Sequence, residues 1–289
     1  MKILCFGEIL WDVYPDKKYI GGASLNFAGH MARHGEDAYM LSALGCDSLG
    51  KEAEAVLRDL GLHTRYVAKK EDKETGTCLV TLDEHSIPSY RLLEEVAYDD
   101  IPCDSVDEDF DVLYFGTLSL RSDHNFFSLQ RLLQDRHFGE ILCDVNIRPP
   151  FYSERSVRLC AEHATVLKIS LEEYQAVADV LRLPDAGSYQ NFAKLLACSF
   201  PNLKCILITL GSLGSYALDC TTRKEYSCGC PSVRVVSTVG AGDSFSAAFL
   251  HHYLRGRDIL FCIEYASRVA GFVVSCFDAI PNYRAEDLI

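Results

Sequence analysis

The 289-residue sequence is poor in several features that would place it quickly. Basic charge is scarce: 28 Lys and Arg face 41 Asp and Glu, a formal net charge of −13. No basic stripe is left to neutralise phosphates, so a nucleic-acid surface is excluded. No apolar run approaches the ~20 residues of a membrane span. No signal-peptide pattern accompanies Met1-Lys2-Ile3-Leu4, and a cytoplasmic location is expected. Thirteen cysteines are many, yet none forms a CxxC, and Cys5, Cys143, Cys205 and Cys262 sit in apolar runs as buried free thiols do. Cys228-Gly229-Cys230 is the one close pair, and a reducing compartment accounts for the scatter. GxSxG, the GxxxxGK[ST] phosphate loop and HExxH are all missing. His30 and His34, four apart on a predicted helix, have no third ligand nearby and read as packing residues, not zinc ligands. No GxGxxG follows the first strand, which removes the main support for a dinucleotide-binding oxidoreductase.

What remains is organised around Ser237-Thr238-Val239-Gly240-Ala241-Gly242-Asp243. A β-type run (Val233, Val235, Val236) enters this turn, and Phe245, Ala248 and Phe249 leave it at the spacing of one buried helical face. Glycines let the backbone approach a ligand closely, and free N–H groups at a helix start form an anion site. A carboxylate in that turn, Asp243, repels an anion unless its task is to take a proton. The turn therefore reads as an anion cradle with a built-in base.

The length suits one large α/β domain or two small ones, and 48% hydrophobic with 24% charged residues is ordinary for a globular enzyme. Lys2 to Phe6 predicts a first strand ending at Gly7-Glu8; a helix runs from Gly21-Gly22 through Met31 to Gly35. Leu41 to Leu44 predicts a strand, and Lys51 to Leu60 a helix stopped by Gly61. Val13 to Ile20 is polar and turn-rich. From about Thr64 to Arg91 the pattern becomes β-type, with Thr77 to Leu82 and Ser89 to Leu93 flanking a turn at Asp83-Glu84-His85. Nine acidic residues between Glu94 and Asp111 predict a solvated connection. Val112 to Phe115, Ile141 to Val145, Val166 to Ile169 and Ile206 to Leu210 then alternate with helical stretches at Asn125 to Arg136, Ser153 to His163 and Leu171 to Leu181. Wholly apolar strands alternating with helices imply a parallel sheet covered on both faces, with ligands beyond the carboxyl ends of its strands.

Four more turns occupy that position. Gly21 to Asn26, preceded by Asp12, suits a polyhydroxylated ligand, or is a plain turn with Asn26 as a helix cap. Asp144, Asn146 and Arg148 alternate after a strand, so that by the period of two they share a face; they hold phosphate or form a buried ion pair stopped by Pro149-Pro150. Ser170 and Glu173 fit a capping box, and a carboxylate there can also hold a magnesium water shell. Thr209-Leu210-Gly211-Ser212-Leu213-Gly214 is a glycine turn that can sit over a nucleotide.

Val236 to Phe245 closely resembles the C-terminal signature of the ribokinase-like (PfkB) sugar kinases. Gly21 to Ala28, with Arg33 and Gly35, resembles their N-terminal signature, and the order of turns matches along nearly the whole chain. Gly116-Thr117-Leu118 and Asp144 to Tyr152 are most similar to the fructokinase branch. The resemblance implies one ribokinase-like domain over 1–289: a three-layer α/β/α sandwich with a mostly parallel sheet and a small inserted β lid from about 13–20 and 64–95. It implies ATP-dependent phosphorylation of a sugar hydroxyl, most simply D-fructose, with 2-keto-3-deoxygluconate, ribose or nucleosides as other acceptors, or a catalytically weak sugar-binding relative. Asp243 becomes the base and the N–H groups of Gly240, Ala241, Gly242 and Asp243 the anion hole. Asp12, Gly22, Asn26 and Arg148 face the sugar. Lys168, Ser170 and Glu173 serve nucleotide phosphates, Glu173 holding Mg2+ through water; Thr209, Gly211 and Gly214 form the nucleotide loop, and Ala266, Ser267 and Ala270 line the adenine. Ser237 stands where many relatives carry the Asp of a monovalent-cation site, so that site is not carried over. Ser170 replaces a usual Asn and Asp278 a usual Gly. Sugar and ATP are the expected partners, with no nucleic acid and no membrane; an apolar lid face left exposed would favour a homodimer through the lid.

Overall fold

The computed structural model describes residues 1–82 and 88–288, so the turn expected at Asp83-Glu84-His85 lies outside the described residues. Strand β1 (Lys2–Phe6) sends Leu4 and Phe6 into one core and Ile3 and Cys5 into another, all fully buried. A strand dry on both faces needs a sheet covered on both sides. β4 (Asp37–Gly45) and β8 (Val112–Gly116) flank β1, both parallel to it. Beyond β8 lie β9 (Glu140–Asp144), β10 (Val166–Ser170) and β11 (Cys205–Thr209), again parallel. β12 (Ser215–Asp219) and β13 (Glu225–Cys228) close that edge antiparallel, and β5 (His63–Lys70) closes the other, parallel to β4.

Helices cover each face. α1 (Ala23–Arg33), α2 (Ser48–Asp59), α7 (Ala241–Tyr253) and α8 (Ile259–Val274) bury Phe27, Leu57, Phe249 and Tyr265 on one side. α3 (Asp123–Asp135), α4 (Glu154–His163), α5 (Tyr174–Val180) and α6 (Tyr189–Ser199) bury Leu129, Cys160, Val177 and Phe192 on the other. The result is a three-layer α/β/α sandwich. The chain leaves β1 through α1 to β4 on one side and later returns as β8 on the other, so a crevice opens at the carboxyl ends of the strands beside β1. No helix among the described residues is long and apolar enough to cross a membrane.

A second sheet stands apart, in the order β3 (Lys18–Gly21), β2 (Leu10–Val13), β6 (Gly76–Leu82), β7 (Pro88–Leu92). Three expectations need correction here. The inserted segment was expected from 64, but residues 63–70 form β5 of the large sheet, because β4 offers them a parallel edge. Val13 to Ile20, turn-rich and expected to contribute to the β lid, carries the turn and most of the second strand of a hairpin, β2 with β3. The acidic stretch 94–111 is not a solvated connection: Val96, Tyr98, Ile101, Val106 and Phe110 are buried, and Asp99 is buried against Arg121, whose Nε and Nη2 donate to its two oxygens at 2.8 Å. Burial of its alternate apolar residues outweighs its charge, which stays at the rim or is paired. The β-type run at Val233 to Val236 also forms no strand. Val236 N–H donates instead to the Val274 carbonyl at the end of α8 (2.8 Å), and Val235 stays exposed. Large exposed apolar side chains among the described residues include Phe127, Leu213, Val235 and Phe277.

Candidate active site

The start of α7 carries the geometry. Gly240, its N-cap, has φ +80°, and an added Cβ would sit 2.7 Å from the Ala279 carbonyl, so only glycine fits. The first helical bond runs from Ser244 N–H to the Gly240 carbonyl (2.9 Å). The N–H groups of Gly242 and Asp243 precede it and have no helical acceptor; Ala241 N–H makes only a long 3.3 Å bond to the Thr238 carbonyl. Lys168 faces this turn: a Cβ on Gly242 would lie 2.9 Å from its Nζ. Unpaired N–H groups, a helix dipole and an ammonium converge where an anion would be held.

Asp243 sits half-buried beside that hole, and Asn26 Nδ2 donates to its Oδ2 at 2.8 Å from the facing helix α1. Crowding by the protein raises the Asp243 carboxyl to about 7; the Asp144 charge and Glu8 add to this, while Asn26 and Lys168 oppose it. Asn26 Oδ1 is buried with no hydrogen-bond partner among the described residues, an acceptor waiting for a hydroxyl.

Lys168 Nζ bonds both oxygens of Asp144, at 3.0 and 2.8 Å, and both side chains are buried. Burial works against each charge. For Lys168 the carboxylates of Asp144, Glu173 and Asp243 outweigh it and its pKa is raised; for Asp144 burial prevails over the pull of Lys168 and its carboxyl is raised too. Adjacent strands in register place them so, β9 pairing Asp144 with Lys168 of β10.

Several expected residues sit differently from the motif reading. Asp144 and Arg148 do not share a face: Asn146 takes φ +42°, the alternation ends with the strand, Asp144 turns inward and Arg148 is exposed. The Arg148 charge is still felt at Asp144 and at Asp12, so it overhangs the crevice. Asp12, half-buried on β2, accepts from the Cys78 thiol opposite it on β6, and burial raises its carboxyl. Gly22 has φ +112°, and a Cβ there would lie 2.5 Å from the Glu8 carbonyl. A cavity of about 290 Å³ lies between Asp12 and Tyr19 of the small sheet and Ser237, Val239 and Asp278 of the body. The capping box at Ser170 forms by one arm only. α5 begins at Tyr174, and Glu173 accepts from Ser170 N–H (2.9 Å) and Ile147 N–H (2.6 Å), tying two strand ends together.

On the far side, Thr209 ends β11, and Gly211 and Gly214 turn with φ +58° and +107°; the Cys228 carbonyl leaves Gly214 no room for a Cβ. A cavity of about 350 Å³ opens there, lined by Leu171, Tyr189, Leu210, Leu213, Ser215 and Cys228 among others. Ser267 Oγ lies 3.1 Å from Cys228 Sγ at its wall. Ala270 is half-buried, but Ala266 is fully buried in the α8 core and lines nothing. Its place on the inner face of α8 fixes that.

His30 is buried between the Ala279 carbonyl and the Tyr283 hydroxyl (both 2.9 Å), and burial pushes it down to about 3; His34 falls to about 4 for the same reason. Both are neutral packing groups, and no cluster of three metal-binding side chains exists among the described residues. Motif reading passed over Glu8, whose Oε1 accepts from Ala23 N–H (2.8 Å) and Oε2 from Ser119 Oγ (2.7 Å). Its signal was positional: it lies two residues past the carboxyl end of a parallel strand buried from Ile3 to Phe6.

A family model described as pfkB family carbohydrate kinase matches residues 2–285. The chain is 28% identical over 271 residues to 5-dehydro-2-deoxygluconokinase of Shouchella clausii, spanning 89% of this chain and 81% of that protein. It is 26% identical over 294 residues to 2-dehydro-3-deoxygluconokinase of Haemophilus influenzae, spanning 94% and 89%. In fold it is similar to the fructokinase of Vibrio cholerae with fructose, ADP and calcium bound: TM-score 0.81, 20% identity, 96% of this chain and 94% of that one.

Proposed function

Because this chain belongs to the pfkB family of carbohydrate kinases, we propose that it phosphorylates a dehydro-deoxygluconate, with ATP as donor. The observation that carries the kinase reading is the pairing of Asp243 Oδ2 with Asn26 Nδ2 at 2.8 Å, in the first turn of a helix whose leading N–H groups are unpaired. A sugar that donates one hydroxyl to Asn26 Oδ1 brings a neighbouring hydroxyl within reach of Asp243, which takes that second hydroxyl's proton as its oxygen attacks the γ-phosphorus. The new O–P bond forms, the bond from phosphorus to ADP breaks, and Gly242 and Asp243 N–H with Lys168 hold the charge on the transferring group. The cavity beside Gly211, Gly214 and Ser267 suits the adenine. Glu173 fits an outer-shell place for Mg2+: both its oxygens already accept backbone N–H groups, and water and substrate phosphates supply the other ligands. The ion, when bound, neutralises phosphate charge. Small-sheet residues 10–21 and 76–82, over the crevice, act as the lid.

Arg148 and the relatives support this choice of acceptor. The two relatives described above are named for gluconates, which carry a carboxylate that fructose lacks. A permanent cation overhanging Asp12 suits that carboxylate better than it suits a neutral ketose. The reading moves accordingly from fructose to a sugar acid. Measuring ADP release with 2-dehydro-3-deoxygluconate, 5-dehydro-2-deoxygluconate, fructose and ribose tests it. One of the two acids is expected to give the highest kcat/KM, and Arg148→Gln to raise its KM about 10- to 100-fold. Preference for fructose, or an equal effect of Arg148→Gln on both sugars, overturns the acid assignment.

The raised Asp243 carboxyl sets a pH dependence. A base must be ionised to work, so kcat/KM is expected to rise with pH and level off above about 7. A profile flat from pH 5 to 8 removes Asp243 as the base.

A further inference from the structure

We propose that Glu8 is a positioning residue for this phosphorylation: its carboxylate ties the start of α1 to the loop after β8 and so places Asn26 and the sugar against Asp243. The inference rests on the kinase reading above. Glu8 is 3% exposed, and no cation pairs with it among the described residues. Its two oxygens are divided between two segments that are far apart in sequence. Oε1 takes Ala23 N–H, the residue after Gly22 and three before Asn26; Oε2 takes the hydroxyl of Ser119, itself buried. The backbone contact at Gly22 is to Glu8 as well, its carbonyl and Cγ leaving no space for a Cβ. One residue at the end of β1 thus sets the height of α1, and α1 presents the amide that holds Asp243.

A neutral acceptor would serve for simple capping, and a buried carboxylate without a cation is costly. The N-terminus of α1 offsets part of that cost through its dipole. The remaining reason for a charge lies across the crevice. The charged or titratable groups around Asp243 are Glu8 after β1, Tyr114 on β8, Asp144 on β9 and Lys168 on β10. Glu8 is the one whose charge is not already held by a cation. It adds a negative field that strengthens the proton affinity of the base, in addition to its mechanical tie.

Glu8→Gln keeps the shape and an acceptor but removes the charge; Glu8→Ala removes both. Glu8→Gln is expected to raise the KM of the sugar about 10-fold with the KM of ATP unchanged, and to move the acid limb of kcat/KM to lower pH. Glu8→Ala is expected to raise the sugar KM further. Wild-type sugar KM and an unmoved acid limb in Glu8→Gln overturn the proposal, as does an equal rise in both KM values, which marks general damage. Should the wild-type protein turn over none of the sugars, the kinase reading fails by itself. The Asp243 carboxyl can then be titrated by 13C NMR without turnover: a lower midpoint in Glu8→Gln supports the coupling, and an unchanged midpoint rejects it.

Discussion

Asp243→Asn is expected to lower kcat about 10²- to 10⁴-fold while sugar and ATP still bind, because it deletes the proton acceptor and little else. Asn is the same size, and its carbonyl oxygen can still accept from Asn26 Nδ2. The unpaired N–H groups at the start of α7 are backbone and survive the change. Stability should move the opposite way. The Asp243 carboxyl is raised from 3.8 to about 7 in the folded protein, so the native state holds its proton more tightly than the unfolded chain. Its favourable contribution is complete below pH 3.8 and is lost as pH rises through about 7. Asparagine never ionises, so the variant is expected to match the wild type at pH 4 and to melt at a higher temperature at pH 8. A kcat within threefold of wild type would rule out Asp243 as the base, and a variant less stable at pH 8 would contradict the raised carboxyl.

How far these features could be read beforehand depended on whether the signal was local. β1 is bounded as its apolar run is, since Ile3 to Phe6 are all fully buried. α7 begins within its glycine turn because φ +80° at Gly240 and the packing of Ala279 admit no other residue. Signals that depend on a distant partner were illegible. Residues 63–70 join the large sheet through the edge of β4, which nothing within their own pattern announces. Asp99 is buried because Arg121 reaches it from the next αβ unit. The turn at Asn146 broke an alternation that was sound up to Asp144, and a single left-handed residue separated two side chains expected on one face. Gly21 to Asn26 and Asp243 were each legible as turns, but their meeting at 2.8 Å is a property of α1 packed on α7. The place of Glu8 after β1 was legible, but its role was not, its two partners lying 15 and 111 residues away.

Lys168→Met is expected to cost about 3–5 kcal/mol of folding stability, because it leaves Asp144 as a buried carboxylate without its cation. Asp144 is 1% exposed, and among the described residues its oxygens have, besides Lys168, only a long 3.4 Å contact from Ser246 Oγ. Burial already raises its carboxyl against the pull of Lys168; without that pull it is raised further, and the protein answers by protonating it. Protonating Asp144 also removes a charge that raises the Asp243 carboxyl, which offsets the loss of Lys168 there, so stability and not the acid limb of kcat/KM reads the pair. Urea unfolding at pH 8 measures the stability loss. The double variant Asp144→Leu with Lys168→Met separates the two roles of the pair. Replacing both charges with apolar groups of similar volume removes the unpaired carboxylate, so most of the lost stability should return. Turnover should not return, since the ammonium facing Gly242 is still missing from the anion hole. A single variant as stable as the wild type would show that Asp144 does not depend on its partner. Recovered turnover in the double variant would take Lys168 out of phosphoryl transfer and leave it a packing residue.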